Sequence, residues 1–119
     1  MYHKDLEVWK KSIELVKDVY DMTSQFPDSE IYGLISQMRR CAVSIPSNLA
    51  EGSAKYSDNE TLRFIDISLG SLAELETQVI IAKELNFISD NSEVLEKIKQ
   101  LNAMFIGLRK HLKSKSDKI

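Results

Sequence analysis

Apolar residues recur at helical spacing along most of this chain, in four blocks separated by short polar breaks. In the first block Leu6, Trp9, Ile13, Val16 and Tyr20 are spaced 3, 4, 3, 4, which predicts a helix over residues 5–24 with one buried seam. Trp9 and Tyr20 are assigned to the core, and Lys10, Lys11, Lys17, Asp18 and Asp21 to a solvated face. Asp5 is the expected N-cap. Phe26-Pro27 ends the helix, because the residue before a proline avoids helical geometry.

The second block, Leu34, Met38, Cys41, Ala42, Ile45 and Leu49, predicts a helix over 28–51, capped by Asp28 or Ser29. Gly52 is expected in the left-handed position that closes it. Pro46 stands in the middle, so a bend is predicted there, with Ser44 or a water taking the carbonyl that the proline frees. Gln37, Arg40, Ser44, Ser47 or Asn48, and Glu51 form a second, polar stripe on the same helix.

Ser57-x-x-Glu60 is a capping box that starts a third helix, over 58–85. One of its apolar stripes is Leu62, Ile65, Leu69, Leu72 and Val79; another is Phe64, Leu75, Ala82 and Leu85. A helix apolar on more than one side is normally buried on more than one side. A bundle of this size is not expected to cover both stripes, which predicts a homo-oligomer with the third helix central to the contact. Gly70-Ser71 supports this, since small residues admit a neighbouring backbone. Asn86 is expected to end the helix, and Asp90-x-x-Glu93 to cap a fourth over 90–113. Its seam is Val94, Ile98, Leu101, Phe105, Leu108 and Leu112, and residues 114–119 are expected to fray.

Every connection is short, so consecutive helices should be antiparallel neighbours. The expected fold is all-α: an antiparallel up-down-up-down four-helix bundle, one domain over 1–119, assembled into a ring-like homo-oligomer. That pairing places Arg40 opposite Ser71 and Gln37 opposite Glu74, so that Arg40 reaches Glu74, or Arg39 does so across a subunit contact. The candidate assembly residues are thus Gln37, Arg39, Arg40, Ser44, Asn48, Glu51, Ser71 and Glu74.

Composition narrows the chemistry. With 43% apolar and 29% charged residues, the chain reads as an ordinary globular domain. The single Cys41 gives no disulfide framework, which fits a reducing cytoplasm. No apolar run nears the roughly 20 residues of a membrane span. The only histidines, His3 and His111, lie at opposite ends, so neither a Glu-x-x-His metal pair nor a zinc site is expected, and no cofactor. Phosphate-cradling glycine loops and nucleophile elbows are absent, and an enzyme is not expected. The net charge of −2 hides an asymmetry: residues 109–119 carry +4 and the remainder −6. An acidic body disfavours broad nucleic-acid contact, whereas Arg109, Lys110, Lys113 and Lys115 are candidates for a local RNA contact.

Several stretches carry a resemblance. Leu6-Glu7-Val8-Trp9, Phe26-Pro27 with Glu30-x-Tyr32-Gly33-Leu34, and Ser36-Gln37-Met38-Arg39-Arg40 come in order along the chain. Ser44-Ile45-Pro46-Ser47-Asn48-Leu49-Ala50-Glu51-Gly52 and Gly70-Ser71-x-x-Glu74-Leu75-Glu76 follow. Together they resemble the 23S ribosomal RNA intervening-sequence proteins, a group that includes accessory proteins of diversity-generating retroelements. The resemblance implies a four-helix protomer, a pentameric ring and no enzymatic activity. It leaves two expectations open: an RNA-associated accessory protein, with structured RNA or a nucleic-acid-handling protein as partner, or a protein-only assembly module.

Overall fold

The computed structural model describes residues 1–117, with side chains described to Lys115; Lys118 and Ile119, part of the expected frayed end, lie outside the described residues. Four α-helices hold the chain: α1 (Glu7–Thr23), α2 (Ser36–Ser53), α3 (Asp58–Glu84) and α4 (Ser92–Asp117). Among the described residues there is no strand. α4 runs past the expected end at 113, through Ser114 to Asp117. Among the described residues no helix is long and apolar enough to cross a membrane.

Each helix packs on two others: α1 on α2 and α4, α3 on α2 and α4. Cys41 and Ser44 meet Ser71, Ile45 meets Ser68, and Gly52 meets Thr61. Partner numbers fall along α3 as they rise along α2, so these two helices are antiparallel. The register differs slightly from expectation, because Ser71 faces Cys41 and Ser44 instead of Arg40. Polar contacts between the outer pairs are an ion pair from Lys97 to Asp18 at 2.7 Å and one from Arg109 to Asp66 at 2.7 Å.

The core confirms some seams and moves one. On α4, Ile98, Leu101, Phe105 and Leu112 are buried as expected. On α1 the buried line is Val8, Ser12, Leu15, Val19 and Thr23, not the predicted seam. Ile13 and Tyr20 are 43% and 42% exposed. Period alone ranked the bulkier line first because the true one contains Ser12 and Thr23. Both hydroxyls bond back to carbonyls four residues earlier, Ser12 to Val8 and Thr23 to Val19, each at 2.7 Å. A satisfied hydroxyl removes most of the cost of burying it.

On α3 both predicted stripes are largely covered inside the protomer, where the helix packs on both α2 and α4. Ile65, Leu72 and Val79 of the first are buried, as are Phe64, Leu75 and Ala82 of the second. The doubly apolar pattern therefore does not by itself require a second chain. The apolar surplus on α3 is a different set, Ile67, Ile80 and Ile81, each between 42% and 45% exposed; Leu85, the last member of the second stripe, follows the helix as its C-cap and is 52% exposed.

The caps follow local chemistry. Ser57 accepts from the Glu60 backbone N–H at 3.1 Å, as the capping box requires. Asn86 adopts φ 63, with its N–H bonded to the Lys83 carbonyl and that of Phe87 bonded to the Ala82 carbonyl. This is the paired bonding by which a left-handed residue closes a helix. Asp90 accepts from the Ser92 N–H at 2.9 Å, two residues on, so it is not paired with position 93 as expected. That bond holds its carboxyl below the usual range. Leu6 takes the N-cap position of α1 without a side-chain bond, so Asp5 does not cap it; Asp5 ends a 3-10 turn over His3–Asp5. Neither Asp28 nor Ser29 caps α2 directly, because a 3-10 turn and a π turn lead into it.

Two expectations about α2 change. The helix is continuous in its assignment across Pro46, and the stretch that leads into it departs from helical backbone at Gly33, φ −113 and ψ −117. The Ser44 hydroxyl donates to the Cys41 carbonyl at 2.6 Å, not to that of Ala42, which Pro46 frees. Gly52 is still helical and has no positive φ. Its small size answers a steric demand instead: a Cβ there would stand 2.7 Å from the Phe64 Cβ and 3.2 Å from the Thr61 carbonyl oxygen.

Candidate functional site

The polar stripe of α2 lies along one wall of a groove whose other wall is α3. Ser36, Gln37, Arg40, Cys41, Ser44 and Asn48 face Ile67, Ser71 and Glu74 across about 420 Å³. The floor is tied down by short bonds: with the Ser44 hydrogen given to the Cys41 carbonyl, the Ser71 hydroxyl donates to Ser44 Oγ at 2.8 Å, and Asn48 Nδ2 donates to the Ser44 carbonyl at 2.8 Å. Cys41 Sγ lies 3.0 Å from the Ser71 carbonyl oxygen and donates to it. Burial pushes this thiol up to about 12, and the nearby Glu74 carboxylate adds to the effect. Near neutral pH the sulfur is thus a protonated donor and a poor nucleophile.

The structure brings together six of the eight candidate assembly residues: Gln37, Arg40, Ser44, Asn48, Ser71 and Glu74. Arg40 and Glu74 share the groove, yet among the described residues neither forms an ion pair, so the bond expected between them is not made. Glu51 is exposed on α2 and is not part of the groove. Arg39 points the other way. Its Nε donates to Thr23 Oγ1 at 2.9 Å and its Nη2 to the Tyr20 carbonyl at 3.4 Å. The guanidinium lies 4.5 Å from the Tyr20 ring centroid, a cation–π contact that joins α2 to α1.

That contact belongs to a second groove, which sequence reasoning missed. Tyr20, Phe26, Ile31, Ile35, Arg39 and Val43 line about 780 Å³ between α1 and α2. Ser36 and Arg40 line both grooves, so the two form one continuous face around α2. A signal was available at Val43, which falls outside the apolar seam of its helix, and an apolar residue left outside a seam is a surface candidate; Tyr20, assigned to the core, gave none.

The basic residues of α4 divide. Arg109 grips Asp66 with both Nε (2.7 Å) and Nη2 (3.5 Å), and this bond holds its guanidinium above its usual range. Lys110, Lys113 and Lys115 are exposed. Among the described residues no group of three or more His, Cys, Asp or Glu side chains is placed to hold a metal ion.

Four packed helices, a polar groove and no strand define an all-α helical-bundle class of protein. Within that class, the profile described as 23S rRNA-intervening sequence protein matches residues 4–107, and the chain belongs to this family. The match ends before Arg109, so it excludes all four candidate RNA-contact residues. Among curated proteins, none matches the sequence.

Proposed function

We propose that this protein is a non-enzymatic assembly protein of the cytoplasm, an up-down-up-down four-helix protomer that forms a ring-like homo-oligomer, most simply a pentamer. The observation that carries the reading is apolar surface in excess of what the protomer needs. Its core is complete around Phe105, Leu72 and Val79, yet Tyr20, Ile31, Val43, Ile67, Ile80, Ile81 and Leu85 are exposed. Single exposed apolar residues are ordinary, but their concentration around α2 and along α3 is the pattern of a subunit contact. Solution mass by light scattering tests it: several protomer masses at micromolar concentration are expected, and a lone 13.6 kDa species would overturn the reading.

A second reading, an accessory protein that holds structured RNA, is favoured by one observation. Lys110, Lys113 and Lys115 stand exposed on the last turns of α4, clear of any ion pair among the described residues. Such contacts release counterions, so binding to RNA would weaken steeply with salt. A titration that shows no association even at low ionic strength removes this reading and leaves the protein-only module.

A further inference from the structure

The outer face of α3 carries a pattern that the protomer does not use. Ile67, Gly70, Glu74, Thr77 and Ile81 are all exposed and spaced 3, 4, 3, 4. That is the spacing with which one helix lies along another, yet no helix of this chain covers it. Gly70 is its midpoint. Glycine weakens a helix interior, and here the protomer gives it no compensating role: a Cβ at Gly70 would meet no atom within 4 Å. Gly52, on the neighbouring helix, has an evident packing reason; Gly70 has none within one chain.

The polar groups beside this seam are also incomplete. Gln78 is buried, and its Nε2 donates to Glu74 Oε1 at 3.3 Å, while its own Oε1 has no hydrogen-bond partner. Among the described residues Glu74 forms no ion pair and, across the groove, neither does Arg40. An unpaired cation on α2 and an unpaired anion on α3 are complementary between neighbouring copies that meet head to tail, as a ring requires.

We propose that a helix of a second copy of this chain lies along the α3 seam, its backbone close to Gly70, with Arg40 of one copy bonded to Glu74 of the next. This rests on the assembly reading above and adds where the contact falls. Gly70 then admits the neighbouring helix, and the guanidinium compensates the carboxylate that Gln78 holds. Ile67 and Ile81 close the contact on either side.

The test is the solution mass of the full chain and four variants, Arg40→Glu, Glu74→Arg, the double exchange and Gly70→Leu, with helicity followed by circular dichroism. Each single variant is expected to keep wild-type helicity, since Arg40, Gly70 and Glu74 are all exposed, and to associate at least about tenfold more weakly. The double exchange should restore the wild-type mass. A wild-type oligomer whose mass none of the variants changes would overturn this surface and leave the assembly reading standing. A monomeric wild type would overturn both.

Discussion

α2 and α3 meet twice, and the two meetings are opposites. Near Gly52 the helices are so close that a single methyl group would collide with Phe64, and the Thr61 hydroxyl donates to the Gly52 carbonyl at 2.8 Å. About three turns further along, the same helices part around a polar groove, and Gly70, next in sequence to its Ser71, faces open space. One glycine is required by the fold of a single chain. The other has no packing role within the chain. The comparison teaches that a residue type has no fixed meaning, and that what its missing Cβ would meet decides between packing and recognition.

The sharpest way to break this contrast is at its closed end. Gly52→Ala should destabilise the protein by about 1–3 kcal/mol in urea unfolding, because the added methyl must displace Phe64 or spread the helices. An unchanged midpoint would mean that the close approach is not a constraint. A smaller loss, about 1 kcal/mol, is expected for Ser68→Ala. Ser68 is fully buried, and its hydroxyl crosses to the Ile45 carbonyl at 2.9 Å, a polar tie between the closed end and the groove. A loss much larger than this would show that the hydroxyl sets the register of the two helices.

The least effect near neutral pH is expected at Cys41, on the groove floor. The folded chain holds this thiol protonated to about 12, against an ordinary 9.0. A group with a raised folded pKa contributes stability that is whole below the unfolded value and lost above it. Stability should therefore be flat in this group up to about pH 9 and decline between 9 and 12, a decline that Cys41→Ala removes. Alkylation of the native protein at pH 8 should follow unfolding. Rapid labelling without loss of structure would place the sulfur in contact with solvent.

Much of this architecture could be read from residues. The four helices were legible because their seams are long and their ends carry specific chemistry, as at Ser57 with Glu60 and at Asn86. The buried line of α1 was not, since it runs through Ser12 and Thr23, whose hydroxyls become buriable only when helical carbonyls accept them. The groove was legible in part. Its polar stripe follows from helical spacing, and antiparallel pairing brought Ser71 and Glu74 to it. Which side Arg39 would take was not legible, because Arg39 and Arg40 are adjacent and only the Thr23 hydroxyl and the Tyr20 ring decide between them. The bond from Arg109 to Asp66 spans 43 positions, and no local pattern announces it.

The contact between α1 and α4 has a consequence for the order of events in folding. Helices α2 and α3 are joined by a connection of a few residues and can meet early, as can α3 and α4. The first and last helices meet only when nearly the whole chain has been looped, which makes theirs the entropically dearest contact to close. Its polar tie is the partly exposed pair of Lys97 with Asp18. The chain therefore behaves kinetically as a clasp fastened last and opened first, with hydrogen exchange along α1 and α4 running ahead of exchange at the α2–α3 seam.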